Sequence, residues 1–251
     1  MQWGHHTRSA FQTTSWTQIV RARNGGKDLE ALLERYWSPV YAYIRRSGKN
    51  RDDASDLTQA FLLSLLESNV LIDRADPERG RFRSYLKAAL KRFLVDEHRR
   101  EHGRADRRAG LNGAAHQSRP KCVQVPVEML ESLEPREQDD PHAAFERQWA
   151  TATMSLALAR LEASCYENGH AGDWALFESR VLLPAKQGTA PKPIEQVLQE
   201  SNATTPQQVY SIIQTMKRRL HRELCAVVSE SVEDPADIEG ELNVIRSILT
   251  A

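Results

Sequence analysis

The stretch Thr205 to Arg222, TPQQVYSIIQTMKRRLHR, constrains this chain more than any other. Thr205 can cap a helix, Pro206 fits the first helical position, and Gln208 three residues on completes a capping box. Behind that start Val209, Ile213, Met216, Leu220 and Leu224 recur at three- and four-residue steps, which predicts one apolar helix face. The opposite face carries Gln207, Gln208, Ser211 and Gln214, then Lys217, Arg218 and Arg222. Amides and hydroxyls near a helix N-terminus suit base edges, and cations a turn or two later suit phosphates. Upstream, residues 193–201 read as a short helix with Ile194, Val197 and Leu198 inward. The polar turn Asn202-Ala203-Thr204 then gives the spacing of a helix-turn-helix. An amphipathic hairpin with a solvated basic face is the plainer alternative.

The 251 residues suggest one or two domains, and the formal net charge of zero argues against a generic polycation. That neutrality is a sum of opposed blocks. Residues 81–121 hold twelve Lys and Arg against four Asp and Glu, a block that could meet a polyanion. Residues 122–148 hold two basic and seven acidic groups, and residues 226–251 one and six. Cys122, Cys165 and Cys225 are odd in number and far apart, which fits a reducing cytoplasm and offers no disulfide framework or zinc knuckle. No apolar run approaches the roughly 18 residues of a membrane span, and the N-terminus MQWGHHTRSAF lacks a signal-peptide core. The expectation is a cytoplasmic protein without membrane contact.

Helix signals are abundant and strand signals weak. Residues 29–46 have helical spacing, with Pro39 expected to kink or divide them. Residues 52–67 (DDASDLTQAFLLSLLE) open with acids, favourable at the positive end of the dipole, and carry Leu57, Phe61 and Leu65 as an inner stripe. Residues 83–100 form a third helix, with Tyr85, Leu86, Ala89, Leu90, Phe93 and Leu94 inward and fraying at Gly103. Glycines and prolines punctuate residues 103–144, which read as a linker. A second helical core then runs from Phe145 through Trp149, Leu156, Leu161, Trp174, Phe177 and Leu182 into the helix-turn-helix. The acidic tail from 229 carries Ile238, Leu242, Val244, Ile245 and Ile248, a pattern for a small helix folding back.

In this order the motifs resemble bacterial extracytoplasmic-function (ECF) sigma factors of the sigma-70 family, across roughly residues 14–249. Asp53-Ala54-Ser55-Asp56-Leu57-Thr58-Gln59 is similar to the acidic helix of sigma domain 2. DPERGRFRSYL, residues 76–86, is similar to that domain's −10 segment, and the second core with its helix-turn-helix to sigma domain 4. Trp16, ERYWSPVYAYIRR and the tail VEDPAD resemble a planctomycete and acidobacterial subgroup. The resemblance implies an all-α protein: domain 2 over 14–102, a linker over 103–144, domain 4 over 145–228 and an acidic extension over 229–251. It implies no catalytic residue, cofactor or metal, and as partners RNA polymerase core, promoter DNA, and an anti-sigma factor or a Ser/Thr kinase.

By the same resemblance Asp53, Asp56 and Gln59 dock on core polymerase. Their three-residue steps can place them on one face, opposite Leu57, Phe61 and Leu65. Arg79, Arg81, Arg83, Ser84, Tyr85, Lys87, Lys91 and Arg92 are the −10 candidates, since single-strand capture combines a basic groove with stacking platforms. Of the two aromatics Phe82 is the one assigned to the core, and His98, Arg99 and Arg100 extend the basic track. Thr205, Gln207, Gln208, Tyr210, Ser211 and Gln214 are the −35 base readers, with Lys217 and Arg218 on phosphates. Two departures matter. Ser55 stands where the family usually carries an acid, which makes it a candidate phosphosite able to restore about −1.5 to −2 charges; a tolerated surface serine is the alternative. Asn202 stands near the usual turn glycine and tolerates the left-handed conformation.

Two rival readings draw on the same residues. His98-Arg99-Arg100-Glu101-His102 spells H-x-x-E-H, but four neighbouring arginines disfavour a dication and no third ligand is marked. A stand-alone DNA-binding regulator explains residues 193–222 and leaves the acidic helix and DPERGRFRSYL unexplained.

Overall fold

The computed structural model describes residues 27–67, 82–108, 135, 140–230, 232 and 234–250. Every regular element among them is helical. Helix α1 spans Lys27–Arg46 and runs unbroken through Pro39, where the sequence suggested a kink or division. Residues 39–44 are all buried, so packing on every side holds the helix across a residue that removes one backbone donor. Ser47 Oγ donates to the Tyr43 carbonyl, and Gly48 then turns the chain at φ 91°. That left-handed conformation is cheap only for glycine.

Helix α2, Arg51–Glu67, begins with a cap the sequence reading missed. Asp53 N donates to Asn50 Oδ1 at 2.8 Å, and Asn50 Nδ2 donates back to Asp53 Oδ2 at 2.8 Å. Helix α3, Phe82–Arg108, is longer than expected, because Gly103 lies inside it and does not fray it. A single interior glycine costs only about 1 kcal/mol relative to alanine, too little to end a helix alone. Helix α4, Pro141–Glu167, starts on Asp140, whose Oδ1 accepts from Ala143 N at 2.7 Å. Helix α5, Ala171–Phe177, passes through a π-helical turn at Glu178–Leu182 into α6, Leu183–Gln187. Helices α7, Ile194–Glu200, α8, Pro206–Ser229, and α9, Asp237–Thr250, complete the described chain.

Packing divides the helices differently from the sequence reading. The first and largest core takes Tyr36, Val40, Tyr41 and Ile44 from α1, Leu57, Phe61 and Leu62 from α2, and Leu86 and Leu90 from α3. It also takes Phe145, Trp149, Ala150 and Ala157 from α4, Val227 and Val228 from α8, and Leu242 and Ile245 from α9. Phe145 and Trp149 were expected in a second core with Leu161, Trp174 and Phe177. The reason for the split is length. At 27 residues α4 extends about 40 Å, too far to serve one core. Its first half lies on α1, and its second half gives Leu161 and Cys165 to a core with Trp174, Phe177 and Met216.

Polar contacts stitch the same seam. Ser38 Oγ on α1 donates to Gln148 Oε1 on α4 at 2.9 Å. Glu230, just past α8, pairs with Arg35 on α1 at 2.8 Å and with Arg160 on α4 at 2.7 Å. Among the described residues no helix is long and apolar enough to cross a membrane.

Candidate nucleic-acid interface

The acidic face of α2 forms because its other face is spoken for. Ala54, Leu57, Thr58, Phe61 and Leu62 are buried, with Leu65 packed beside them, and Thr58 Oγ1 donates to the Ala54 carbonyl at 2.7 Å. That leaves Asp52, Asp53 and Asp56 exposed and Gln59 half-buried. Asp53 does double duty, since it also closes the Asn50 cap. Ser55 is half-buried beside this face. Exposed carboxylates on consecutive turns can receive a basic protein surface.

Helix α3 presents its cations in two sets. Ser84, Lys91, Arg92, Arg99 and Arg100 are exposed. Lys91, His98 and Arg99 line a cleft of about 360 Å³ that also takes in Lys49, with Tyr43 in its wall. Lys49 was absent from the sequence reading: it follows Gly48 at the end of α1, and only tertiary packing brings it to α3. Burial, then the nearby Asp140, raise the Tyr43 pKa above its usual value. Tyr43 is only 5% exposed, so what the cleft offers a nucleic-acid strand is its cations.

The second set turns inward. Arg83 is 8% exposed, with its guanidinium 4.0 Å over the Trp149 ring. It pairs with Glu146 of α4 and, at 3.1 Å, with Glu241 of α9. Lys87 pairs with the other oxygen of Glu146. Arg83 and Lys87 were expected at a DNA strand, and in this structure both are committed to carboxylates. Tyr85 is partly buried against the first core, so its ring is packed where a stacking platform was expected. Arg79, Arg81 and the side chain of Phe82 lie outside the described residues, as do the side chains of Glu101 and His102.

The helix-turn-helix is formed by α7 and α8. Ile194–Glu200 ends on Ser201 in extended conformation, and Ala203 in the turn is buried with Val197, Val209, Ile213 and Leu176. Thr205 caps α8, its Oγ1 accepting from Gln208 N at 3.3 Å. The reciprocal arm of the capping box is displaced by one residue. Gln208 Oε1 accepts from Thr204 N at 2.7 Å and from Thr204 Oγ1 at 2.9 Å, not from the Thr205 amide. Gln207, Gln208, Tyr210, Ser211 and Gln214 are exposed on one side of the helix start, with Lys217 and Arg218 beyond them. Tyr210 is 52% exposed. Val209, Ile213, Met216 and Leu224 are buried as the spacing required. Thr205 and Gln208 thus hold the turn together, and Gln208 keeps its amide donors for other partners.

The tail expectation holds in its geometry. In α9 Leu242 and Ile245 are buried, and Ile238, Val244 and Ile248 pack against the same core. What sequence reasoning missed is Glu241, a carboxylate 2% exposed inside that apolar seam. Its signal was present as an acid within an apolar pattern, which only a buried cation could answer.

Residues 32–104, which take in most of α1, all of α2 and most of α3, match the model of sigma-70 region 2. The match supports a sigma factor of the sigma-70 family, with core RNA polymerase and promoter DNA as its partners. Comparison with curated proteins and with solved structures finds no match.

Proposed function

We propose that this chain is an ECF-type sigma factor that joins bacterial RNA polymerase core in the cytoplasm and directs promoter-specific initiation. The observation that carries the reading is the region 2 match, laid over a helix whose Asp53 and Asp56 face outward. On this reading residues 14–102 act as domain 2 and 145–228 as domain 4, joined by 103–144 and followed by the extension 229–251. Asp53, Asp56 and Gln59 engage core. The cleft around Lys91 with Arg92, and the segment that includes Arg79 and Arg81, hold the melted −10 strand. The exposed face of α8 enters the −35 major groove, with Gln207, Tyr210, Ser211 and Gln214 at base edges and Lys217 and Arg218 on phosphates. Ser55, half-buried beside the docking face, is the proposed phosphosite of a Ser/Thr kinase, and the tail or an anti-sigma factor is a further point of control.

The test is transcription by core polymerase from a random promoter library with the purified chain added. The expected products start downstream of sequences that share −35 and −10 elements, and Asp53→Ala/Asp56→Ala abolishes them. Products with no shared element, or none at all with the intact chain, would contradict the proposal.

A further inference from the structure

The two sets of cations on α3 face different chemistry. Lys91, Arg92 and Arg99 meet solvent, whereas Arg83 and Lys87, one turn apart at the start of the helix, meet Glu146 and Glu241. Neither carboxylate belongs to the region 2 segment. Glu146 lies on the first turns of α4 beyond the linker, and Glu241 lies on the acidic C-terminal helix. Charge-assisted pairs of this kind have the geometry with which Arg and Lys also grip phosphates. The same seam fixes the second half of the molecule: Arg35 and Arg160 both hold Glu230 at the end of α8.

We propose that Glu146 and Glu241 stand in for the phosphates of a single DNA strand, so that the free chain is held closed, with part of its strand-binding surface covered by α4 and α9. The inference rests on the reading of α3 as the strand-binding helix and adds the device that regulates it. Opening exchanges carboxylates for phosphates on the same two cations. In the closed state Arg83 is unavailable, and the tail acts as a latch through the buried Glu241.

The experiment uses the full chain and fluorescein-labelled oligothymidylate, with no polymerase present. Glu146→Gln is expected to bind several-fold tighter than wild type. Its log–log salt slope should steepen by about 0.7, for the one phosphate newly engaged by Lys87, because Glu241 still holds Arg83. Glu167→Gln, the same charge change at the exposed end of α4, should leave affinity and slope near wild type. Lys87→Ala in the Glu146→Gln background should remove most of the steepening. Wild-type protein supplies a second readout that needs no variant: carbodiimide should couple Lys87 to Glu146, and bound oligothymidylate should suppress that cross-link. Equal binding by the two Gln variants, or a cross-link unchanged at saturating oligonucleotide, overturns the proposal. If Lys91→Ala/Arg92→Ala weakens wild-type binding while Glu146→Gln changes nothing, the latch alone is wrong. If neither has any effect, the strand-binding reading falls and the latch with it.

Discussion

Arg83 carries more of this molecule than its place in the sequence suggests. It touches α4 through Glu146 and Trp149 and α9 through Glu241, and its charge reaches Tyr36 on α1. Breaking such a buried pair from one side leaves the other charge unanswered, at a cost of about 3 to 5 kcal/mol. Arg83→Met, which removes the cation against which Glu241 is buried, is therefore expected to lower the denaturation midpoint steeply. Adding Glu241→Leu to it should recover much of the loss, a coupling that a double-mutant cycle in urea measures directly. Simple additivity of the two would show that the pair does not act as a unit. Tyr36 reports on the same junction. Burial, partly offset by Arg35 and Arg83, pushes its pKa up to about 12. The folded state keeps the phenol protonated after the unfolded chain has lost its proton near pH 10. Stability is accordingly complete below pH 10 and falls between pH 10 and about 12, by roughly 2 to 3 kcal/mol from this group. The substitution Tyr36→Phe removes the titrating hydroxyl and should flatten that decline in alkaline denaturation curves.

Among the elements, α8 was the most legible from sequence, since its cap, its proline and its apolar stripe all point to the same helix. Thr205→Ala should cost about 1 kcal/mol, read as a lower melting temperature with α8 fraying first in hydrogen exchange. The division of labour on the exposed face gives a second prediction. Lys217→Ala should weaken DNA binding evenly across sequences and flatten the salt slope by about one unit, while Gln214→Ala should relax preference at one −35 position. Like behaviour of the two variants would contradict it. Gln208 is a poor base-reading probe, because its carbonyl oxygen holds Thr204 and its loss would also loosen the turn. Helices α1 and α3 show why the rest was less legible. Pro39 and Gly103 are breakers by local preference, and tertiary packing or simple continuity outweighs them. The acidic face of α2 could be read from residue spacing, whereas its Asn50 cap could have been read and was not.

At the scale of the molecule, sequence patterning separated apolar from polar faces and could not say which apolar faces meet. Phe145 and Trp149 look like the start of a second core, yet they pack on α1 because α4 is long enough to serve both halves. For the same reason Arg83 and Lys87 read as strand contacts: their partners lie 59 or more positions away, where periodicity carries no information. The tail follows from this architecture. Removal of residues after Ser229 takes Leu242 and Ile245 out of the largest core, each worth about 1.5 to 3 kcal/mol. Truncation should therefore destabilise the whole molecule, and an unchanged melting temperature would show that α9 is not part of the core. The central claim is that the outward acids of α2 dock on RNA polymerase. It is tested most directly by size exclusion of the purified chain with bacterial core polymerase. Co-migration of the intact chain is expected, lost in Asp53→Ala/Asp56→Ala although that variant keeps its helical circular dichroism. A chain that stays apart from core, or a double variant that co-migrates as well as wild type, would contradict it.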